Sequence, residues 1–191
     1  MIAELLLKTI DRRHNTAVMF SPKRCLRSRL NSNTCDICLS YCKSTALALD
    51  GRSIAYDEDR CTGCMACVAE CPNDAFYANV DLSVFLSALS ACDRSFPFTI
   101  GCQKAALNKN SIRVQCLGLL SEPVLAALHC LVPTDLHLDI QHCPDCENGH
   151  VLNLLHERIQ RIVKKKGRLD ALKIHYRAAQ HDCDEKPEVQ R

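Results

Sequence analysis

Apolar positions in the first part of the chain form several short periodic segments. In residues 2–10 they recur with the spacing of one helix face. Two apolar runs, residues 46–49 and 54–56, flank the turn Asp50-Gly51-Arg52-Ser53, which is typical of a β-hairpin. A further helix is predicted to begin at Asp81, because aspartate is a favourable capping residue. This part of the chain is therefore predicted to mix short helices with short strands.

The pattern changes beyond Pro97. Residues 96–100, 112–115 and 136–140 have the composition or the alternation of short strands. Between the second and third of these segments, Ser121-Glu122-Pro123 marks the start of a helix. We therefore expect a small α/β unit with the element order β-β-α-β.

Two helices are predicted in the last part of the chain. In residues 151–166 the apolar side chains lie on one face, and Gly167 is expected to end this helix. The outer face is predicted to be basic and to include Arg158. A second helical stretch, residues 169–179, is expected to lead into a disordered polar tail.

Fifteen cysteines in 191 residues are the unusual feature of the composition, which is otherwise that of a globular protein with a formal net charge of +2. No export signal is visible, and an odd cysteine count fits complete disulfide pairing poorly. The longest apolar run, residues 124–128, is far shorter than the roughly 20 residues that span a bilayer. We therefore expect a cytoplasmic chain without a transmembrane segment, whose reduced thiols are available as metal ligands.

The most specific motif lies in residues 61–72, which read Cys-Thr-Gly-Cys-Met-Ala-Cys-Val-Ala-Glu-Cys-Pro. The spacing is C-x2-C-x2-C-x3-C-P. In such a run three closely spaced thiolates bind one cubane, and the fourth cysteine ligates the neighbouring cluster. Gly63 allows the backbone to approach the cluster closely. The motif predicts a [4Fe-4S] site, with zinc or a purely structural group of thiols as the alternatives.

A second, incomplete copy of this motif lies in residues 35–42, where Cys35, Cys38 and Cys42 have the spacing C-x2-C-x3-C. The position expected for the first cysteine is Ser32. Cys25, ten residues before Cys35, is the favoured replacement ligand across a longer loop. The alternatives are a three-iron cluster or a site completed by the oxygen of Ser32.

Cross-ligation divides the eight cysteines into two groups of four, one for each predicted [4Fe-4S] cluster. The first group is Cys25, Cys35, Cys38 and Cys71, and the second group is Cys42, Cys61, Cys64 and Cys67. Residues 35–80, and more distantly the chain from residue 25, resemble the bacterial two-cluster ferredoxin family. The resemblance implies a ββαββα fold with pseudo-two-fold symmetry and single-electron transfer. The repeated segments Ser44-Thr45-Ala46 and Asn73-Asp74-Ala75 agree with such a duplication.

A third group of cysteines follows the predicted strands of the α/β unit and consists of Cys102, Cys116, Cys143 and Cys146. If these strands are parallel neighbours, their carboxyl ends meet at one edge of the sheet. Four thiolates there suit a [2Fe-2S] cluster or zinc, and a dithiol without metal is a further alternative. Gly101-Cys102, Cys116-Leu117-Gly118 and Cys143-Pro144-Asp145-Cys146 resemble the small iron–sulfur subunit that links hydrogenase to heterodisulfide reductase in methanogens. That resemblance implies a [2Fe-2S] site that passes electrons between subunits.

The predicted fold class is α+β, with a ferredoxin-like domain, a small α/β metal-binding domain and a C-terminal helical extension. The predicted boundaries are an N-terminal helix and linker at 1–24, the two-cluster ferredoxin domain at 25–80, a linker helix at 81–93, the α/β domain at 94–150, and basic helices with a tail at 151–191. Three cysteines remain outside the sites: Cys92 and Cys130 in predicted helices, where burial is expected, and Cys183 in the tail.

These features favour an electron-transfer subunit over a self-sufficient enzyme, since the sequence has no phosphate loop, dinucleotide fingerprint or paired nucleophile and base. The expected partner is a larger redox subunit of the flavin, molybdenum or nickel–iron type in a hetero-oligomeric complex. Three bound clusters would change the net charge to about −4, and nucleic-acid binding is not expected. The alternatives are an iron–sulfur redox sensor or maturation factor, and a ferredoxin fused to a zinc-stabilised interaction module.

Overall fold

The computed structural model describes residues 18–78, 82–106, 109–166 and 174–177. The helix predicted at residues 2–10 lies outside these ranges. The elements of the first range are short, and each has at most five residues. They are β1 Met19–Phe20, α1 Leu26–Arg29, α2 Ile37–Tyr41, β2 Leu47–Asp50, β3 Ser53–Tyr56, α3 Ala66–Glu70 and β4 Phe76–Tyr77.

Two antiparallel strand pairs frame this part of the chain. The predicted hairpin is confirmed, with β2 paired to β3 from Leu47↔Tyr56 to Asp50↔Ser53. Its turn contains Gly51 at φ +54°, a left-handed conformation that glycine adopts without a steric penalty. The other pair joins β1 to β4. The strand β1 falls within the segment 1–24, for which the sequence predicts a helix and a linker. The order β-α-α-β-β-α-β differs from the ββαββα order that the ferredoxin resemblance implies.

The sequence repeat noted above has a structural counterpart. Thr45 and Asp74 occupy equivalent positions in the two copies, and both have a positive φ, of 55° and 49°. Each is followed by a buried alanine, Ala46 or Ala75, and then directly by a strand. The helix of each copy, α2 and α3, packs against the other. The two cysteine motifs are therefore presented by similar local backbone on neighbouring helices.

The second part of the chain contains longer helices and a parallel sheet. Its elements are α4 Leu82–Ser90, β5 Phe98–Gly101, β6 Ser111–Arg113, a 3₁₀ helix Leu117–Leu119, α5 Glu122–Leu131, β7 Leu136–Asp139, α6 His150–Lys166 and β8 Ile174–Arg177. The three predicted strands and the helices beginning near residues 81, 121 and 151 are confirmed. Together the two parts have the mixed helix and strand content of the predicted α+β class.

The sheet is fully parallel, with the strand order β6-β5-β7-β8. The strand β8 corrects the prediction of a helix over residues 169–179. Residues 174–177 pair with β7 along its whole length, from Leu136↔Ile174 to Asp139↔Arg177. The open edge of β7 supplies unpaired backbone groups, and satisfying them outweighs a weak local helix preference.

The helix α6 packs against α5 and the 3₁₀ helix, and its apolar stripe joins the core that also contains the sheet residues. Val151, Leu155 and Ile162 are buried along one face. Arg158 lies on the same stripe and is 0% exposed, so its predicted place on the basic outer face is wrong. Within the ranges described above, no helix combines the length and the apolar character needed to cross a bilayer.

Candidate metal centres

The first cysteine group surrounds a cavity beside α1 and α2. The four predicted members, Cys25, Cys35, Cys38 and Cys71, all line this cavity. Apolar side chains complete the lining and include Leu26, Ile37, Ile54, Pro72 and Phe76. Cys25 is buried, whereas Ser32 is exposed and does not line the cavity. Of the two alternatives for the fourth ligand, the geometry brings Cys25 to the other three thiols.

The thiols of the first group are held close together in an apolar setting. Burial, followed by the neighbouring thiolates of Cys71, Cys25 and Cys35, raises the pKa of Cys38 to about 12. The Cys71 Sγ accepts a hydrogen bond from the backbone N–H of Ala75 at 3.2 Å. Bonds of this kind stabilise negative charge on a ligating sulfur. Four such thiols are therefore a donor set that a soft, positively charged metal centre would neutralise.

The second group is built on α3 and the turn before it. Burial raises the pKa of Cys67, and the thiolates of Cys64, Cys61 and Cys42 add to the effect. The Sγ of Cys42 lies 3.6 Å from the hydroxyl of Ser44. Two left-handed residues, Gly63 at φ +67° and Met65 at φ +64°, turn the backbone around this group. The four predicted members of the second group are thus neighbours.

The third group lies at the carboxyl edge of the parallel sheet, where the sequence pattern predicts it. Cys102 directly follows β5, and Cys116 and Cys143 follow β6 and β7 within a few residues. Burial, then the thiolates of Cys102 and Cys146, raises the pKa of Cys143 to about 11. Lys104 donates a hydrogen bond to Cys146, with its Nζ 3.4 Å from the Sγ. The fourth cysteine of this group therefore has a cationic neighbour.

Cys116 connects the second and third groups. Burial raises its pKa to about 11, and the thiolates that contribute include Cys64 of the second group as well as Cys102 and Cys143 of its own. The 3₁₀ helix that follows Cys116 contacts α3. A Cβ on Gly118 would lie 2.0 Å from the carbonyl oxygen of Cys64, so a side chain at this position would collide with the second group's backbone. The two groups are thus in direct contact.

Arg158 forms further contacts between the 3₁₀ helix and α3. Its Nε donates to the Glu70 carboxylate at 2.8 Å, and its Nη1 donates to the carbonyls of Gly118 and Leu120 at 2.9 and 3.0 Å. Its Nη2 lies 2.7 Å from the same carboxylate. Glu70 ends α3, immediately before Cys71. One buried cation therefore joins α6 and the 3₁₀ helix to the end of the helix that carries Cys67.

Single-ion sites are a separate question from clusters. Over the parts of the chain that the structure describes, no three Cys, His, Asp or Glu side chains lie close enough to hold one metal ion. The buried thiols, the N–H···S bond to Cys71 and the soft donor set fit an iron–sulfur cluster in the first and second groups.

The three cysteines outside the groups differ in their exposure. Cys130 is exposed, so its expected burial is wrong, Cys92 is partly buried after α4, and Cys183 lies outside the described residues. Three contacts do not follow from the sequence pattern: that of Lys104 with Cys146, those of the buried Arg158, and the bond that the Asn148 side chain donates to the carbonyl of Thr62 at 3.0 Å. Only Arg158 had a signal, its position on the apolar stripe of α6.

Comparison with known proteins agrees with part of this picture. A family model described as a 4Fe-4S binding domain matches residues 54–77, a range that contains Cys61, Cys64, Cys67 and Cys71. No curated protein and no solved structure gives a significant match to the chain. The resemblance of residues 94–150 to the subunit that links hydrogenase and heterodisulfide reductase is not supported. The chain thus contains a 4Fe-4S binding domain at residues 54–77, which indicates at least one [4Fe-4S] cluster and iron–sulfur electron transfer.

Proposed function

We propose that the chain transfers single electrons through two [4Fe-4S] clusters and a third cysteine-ligated site. The observation that carries the proposal is the grouping of twelve cysteines into three sets of four that are linked to one another. Cys38 of the first group contributes to the raised pKa of Cys67 in the second, and Cys64 of the second contributes to that of Cys116 in the third. The second group is therefore the neighbour of both others, as a relay requires.

The protein's own residues bind and insulate this relay. Apolar side chains such as Ile54 and Phe76 exclude water from the first group, and Met65 and Ala66 are buried beside the second. The backbone N–H of Ala75 and the hydroxyl of Ser44 are placed at ligand sulfurs, where they favour the reduced state. A bound iron–sulfur cluster supplies the reversible uptake of one electron at a time. We further propose that the chain is a non-catalytic, cytoplasmic subunit of a larger complex.

Metal and sulfide analysis of anaerobically purified chain tests the proposal. We expect about 10 irons per chain with matching sulfide if the third site holds a [2Fe-2S] cluster, and about 8 irons with one zinc if it does not. Electron paramagnetic resonance of the reduced protein should show two interacting cubanes. A colourless protein without iron or sulfide would contradict the proposal as a whole.

Replacing Lys104 with glutamine is expected to lower the reduction potential of the third site. The change removes a cation and a hydrogen bond from the Sγ of Cys146, and both stabilise the more negative reduced form. A redox titration followed by paramagnetic resonance measures the shift, with Lys109→Gln as the control because Lys109 is also exposed on the same segment. Equal potentials in the two variants would show that Lys104 does not act on the site.

The proposed partner is a larger redox subunit of the flavin, molybdenum or nickel–iron type in a hetero-oligomeric complex. The arrangement of the three linked cysteine groups supports this partner, because an electron relay functions only between a donor and an acceptor. Subunits that copurify with the untagged chain under anaerobic conditions would identify the partner. Purification of a stable, cluster-containing chain with no redox subunit attached would count against a permanent complex.

A further inference from the structure

The first cysteine group differs from the second by an insertion. Nine residues separate Cys25 from Cys35, whereas two residues separate Cys61 from Cys64. The insertion contains Arg27 and Arg29 and no acidic residue. It therefore adds positive charge at the mouth of the first site and at no other.

The inserted loop is fixed in place by contacts of its own. Arg27 donates to the carbonyls of Cys35 and Thr34, both at 2.7 Å. The Ser28 hydroxyl lies 3.0 Å from that of Ser53 at the hairpin, and Arg52 donates to the Asn31 side chain at 2.8 Å. The loop and the hairpin tip thus form one continuous surface beside the first cavity.

Four exposed cations lie on this surface or just before Cys25 in the chain, and we call them the basic rim. Its members are Lys23, Arg24, Arg29 and Arg52. The guanidinium of Arg24 lies 5.6 Å from the ring centroid of Tyr77, which fixes its position. In the described ranges no carboxylate forms an ion pair with a member of the rim. Leu30 and Ile37 are exposed beside it, at 46% and 39%.

Charge is divided unevenly between the two halves of the cluster-binding region. Three of the four cysteines of the first site lie in residues 22–53, which contain six Lys or Arg and two Asp. Three of the four cysteines of the second site lie in residues 54–78, which contain five Asp or Glu and one Arg. Two clusters of equal charge would leave this difference unchanged. An approaching acidic protein is therefore attracted to the first site and repelled from the second, and the exposed apolar residues provide a contact area once it arrives.

We propose that the basic rim is the docking surface for an acidic one-electron carrier protein, which exchanges electrons with the first site. The inference rests on the proposed electron-transfer function and adds the chemistry of one partner and its place of contact. The first site is then the terminus facing the soluble carrier. The third site, linked to the first through the second, faces the larger complex.

Stopped-flow reduction of the full, cluster-loaded chain by reduced flavodoxin, an acidic carrier, tests the inference. The double variant Arg29→Glu/Arg52→Glu should lower the second-order rate constant about tenfold at low salt, and high salt should abolish the difference. The matched control is Arg94→Glu/Lys164→Glu, which makes the same charge change at two exposed positions outside the rim and should change the rate constant by less than about twofold.

Two further probes separate the possible outcomes. Oxidation of the reduced chain by cytochrome c, a basic carrier, should not be slowed in the rim variant. Slowing with both carriers, no slowing with flavodoxin, or no reaction between flavodoxin and the unaltered chain overturns the inference. Tight binding of a labelled single-stranded RNA that is lost in the rim variant, without any effect on flavodoxin, also overturns it. Iron content and paramagnetic resonance of each variant report the clusters independently. Absence of the clusters would refute the proposed function rather than the docking surface.

Discussion

Replacing Arg158 with methionine is expected to lower the free energy of unfolding by about 3 kcal/mol. The substitution leaves the Glu70 carboxylate without its cation, and it leaves the carbonyls of Gly118 and Leu120 without a donor in a buried place. Removing one partner of a buried, hydrogen-bonded ion pair has a large effect because the remaining groups stay desolvated. Anaerobic urea unfolding, followed by circular dichroism, measures the change.

The matched control is Arg161→Met on the same helix. Arg161 also pairs with a glutamate, Glu122, but its side chain is 42% exposed, compared with 1% for Arg158. Exposed ion pairs contribute at most about 1 kcal/mol, so the control should be close to the unaltered protein. A loss of stability in Arg158→Met that does not exceed that of Arg161→Met would show that the buried pair does not hold the two parts together.

Replacing Cys67 with alanine is expected to abolish the signal of one [4Fe-4S] cluster and to lower the iron content by about four per chain. Cys67 lies within α3, with the thiols of Cys64, Cys61 and Cys42 around it, so an alanine leaves this group with three ligands. Because metal binding contributes to folding, the same variant should also unfold at a lower urea concentration. Iron and sulfide analysis and paramagnetic resonance measure the first effect.

Cys130→Ala is the matched control for this experiment. Cys130 is exposed on α5, away from all three groups, and the chain without its thiol should keep its full iron content. Two observations would contradict the assignment of the second group: unchanged iron in Cys67→Ala, or equal losses in both variants. Conversion to a three-iron signal would instead support the assignment, because it shows that the position of Cys67 was occupied by a ligand.

Local sequence signals predicted the features that depend on a few neighbouring residues. The hairpin follows from Asp50-Gly51, where a glycine takes the left-handed position of the turn. The strand ends that bring Cys102 and Cys116 to one edge follow from short apolar segments and from the geometry of parallel sheets. The four cysteines assigned to the first group line one cavity, although motif spacing alone selects Ser32 rather than Cys25, and their binding of a cluster stays a prediction.

Features that depend on distant contacts were not predicted. The strand β8 exists because β7 offers a free edge, and residues 174–177 alone do not encode that edge. The charge of Arg158 favours an exposed position, and the sequence prediction followed that charge. Its place in the chain, seven residues after Val151 and four before Ile162, puts it on the buried stripe instead. The close approach of Gly118 to the Cys64 backbone joins residues that are far apart in the chain, and it follows only from the packing of two separate cores.

The absence of a side chain at Gly118 has a consequence for the history of this chain. A Cβ at position 118 would lie 2.0 Å from the Cys64 carbonyl oxygen, so even alanine is excluded there unless the backbone at Cys64 moves. Residues 18–78 and residues 82–166 therefore cannot each be exchanged freely for a domain of another protein, as independent domains joined by a linker can. Recombination between β4 and α4 would separate surfaces that fit each other, and the two parts of the chain are expected to be inherited as one unit.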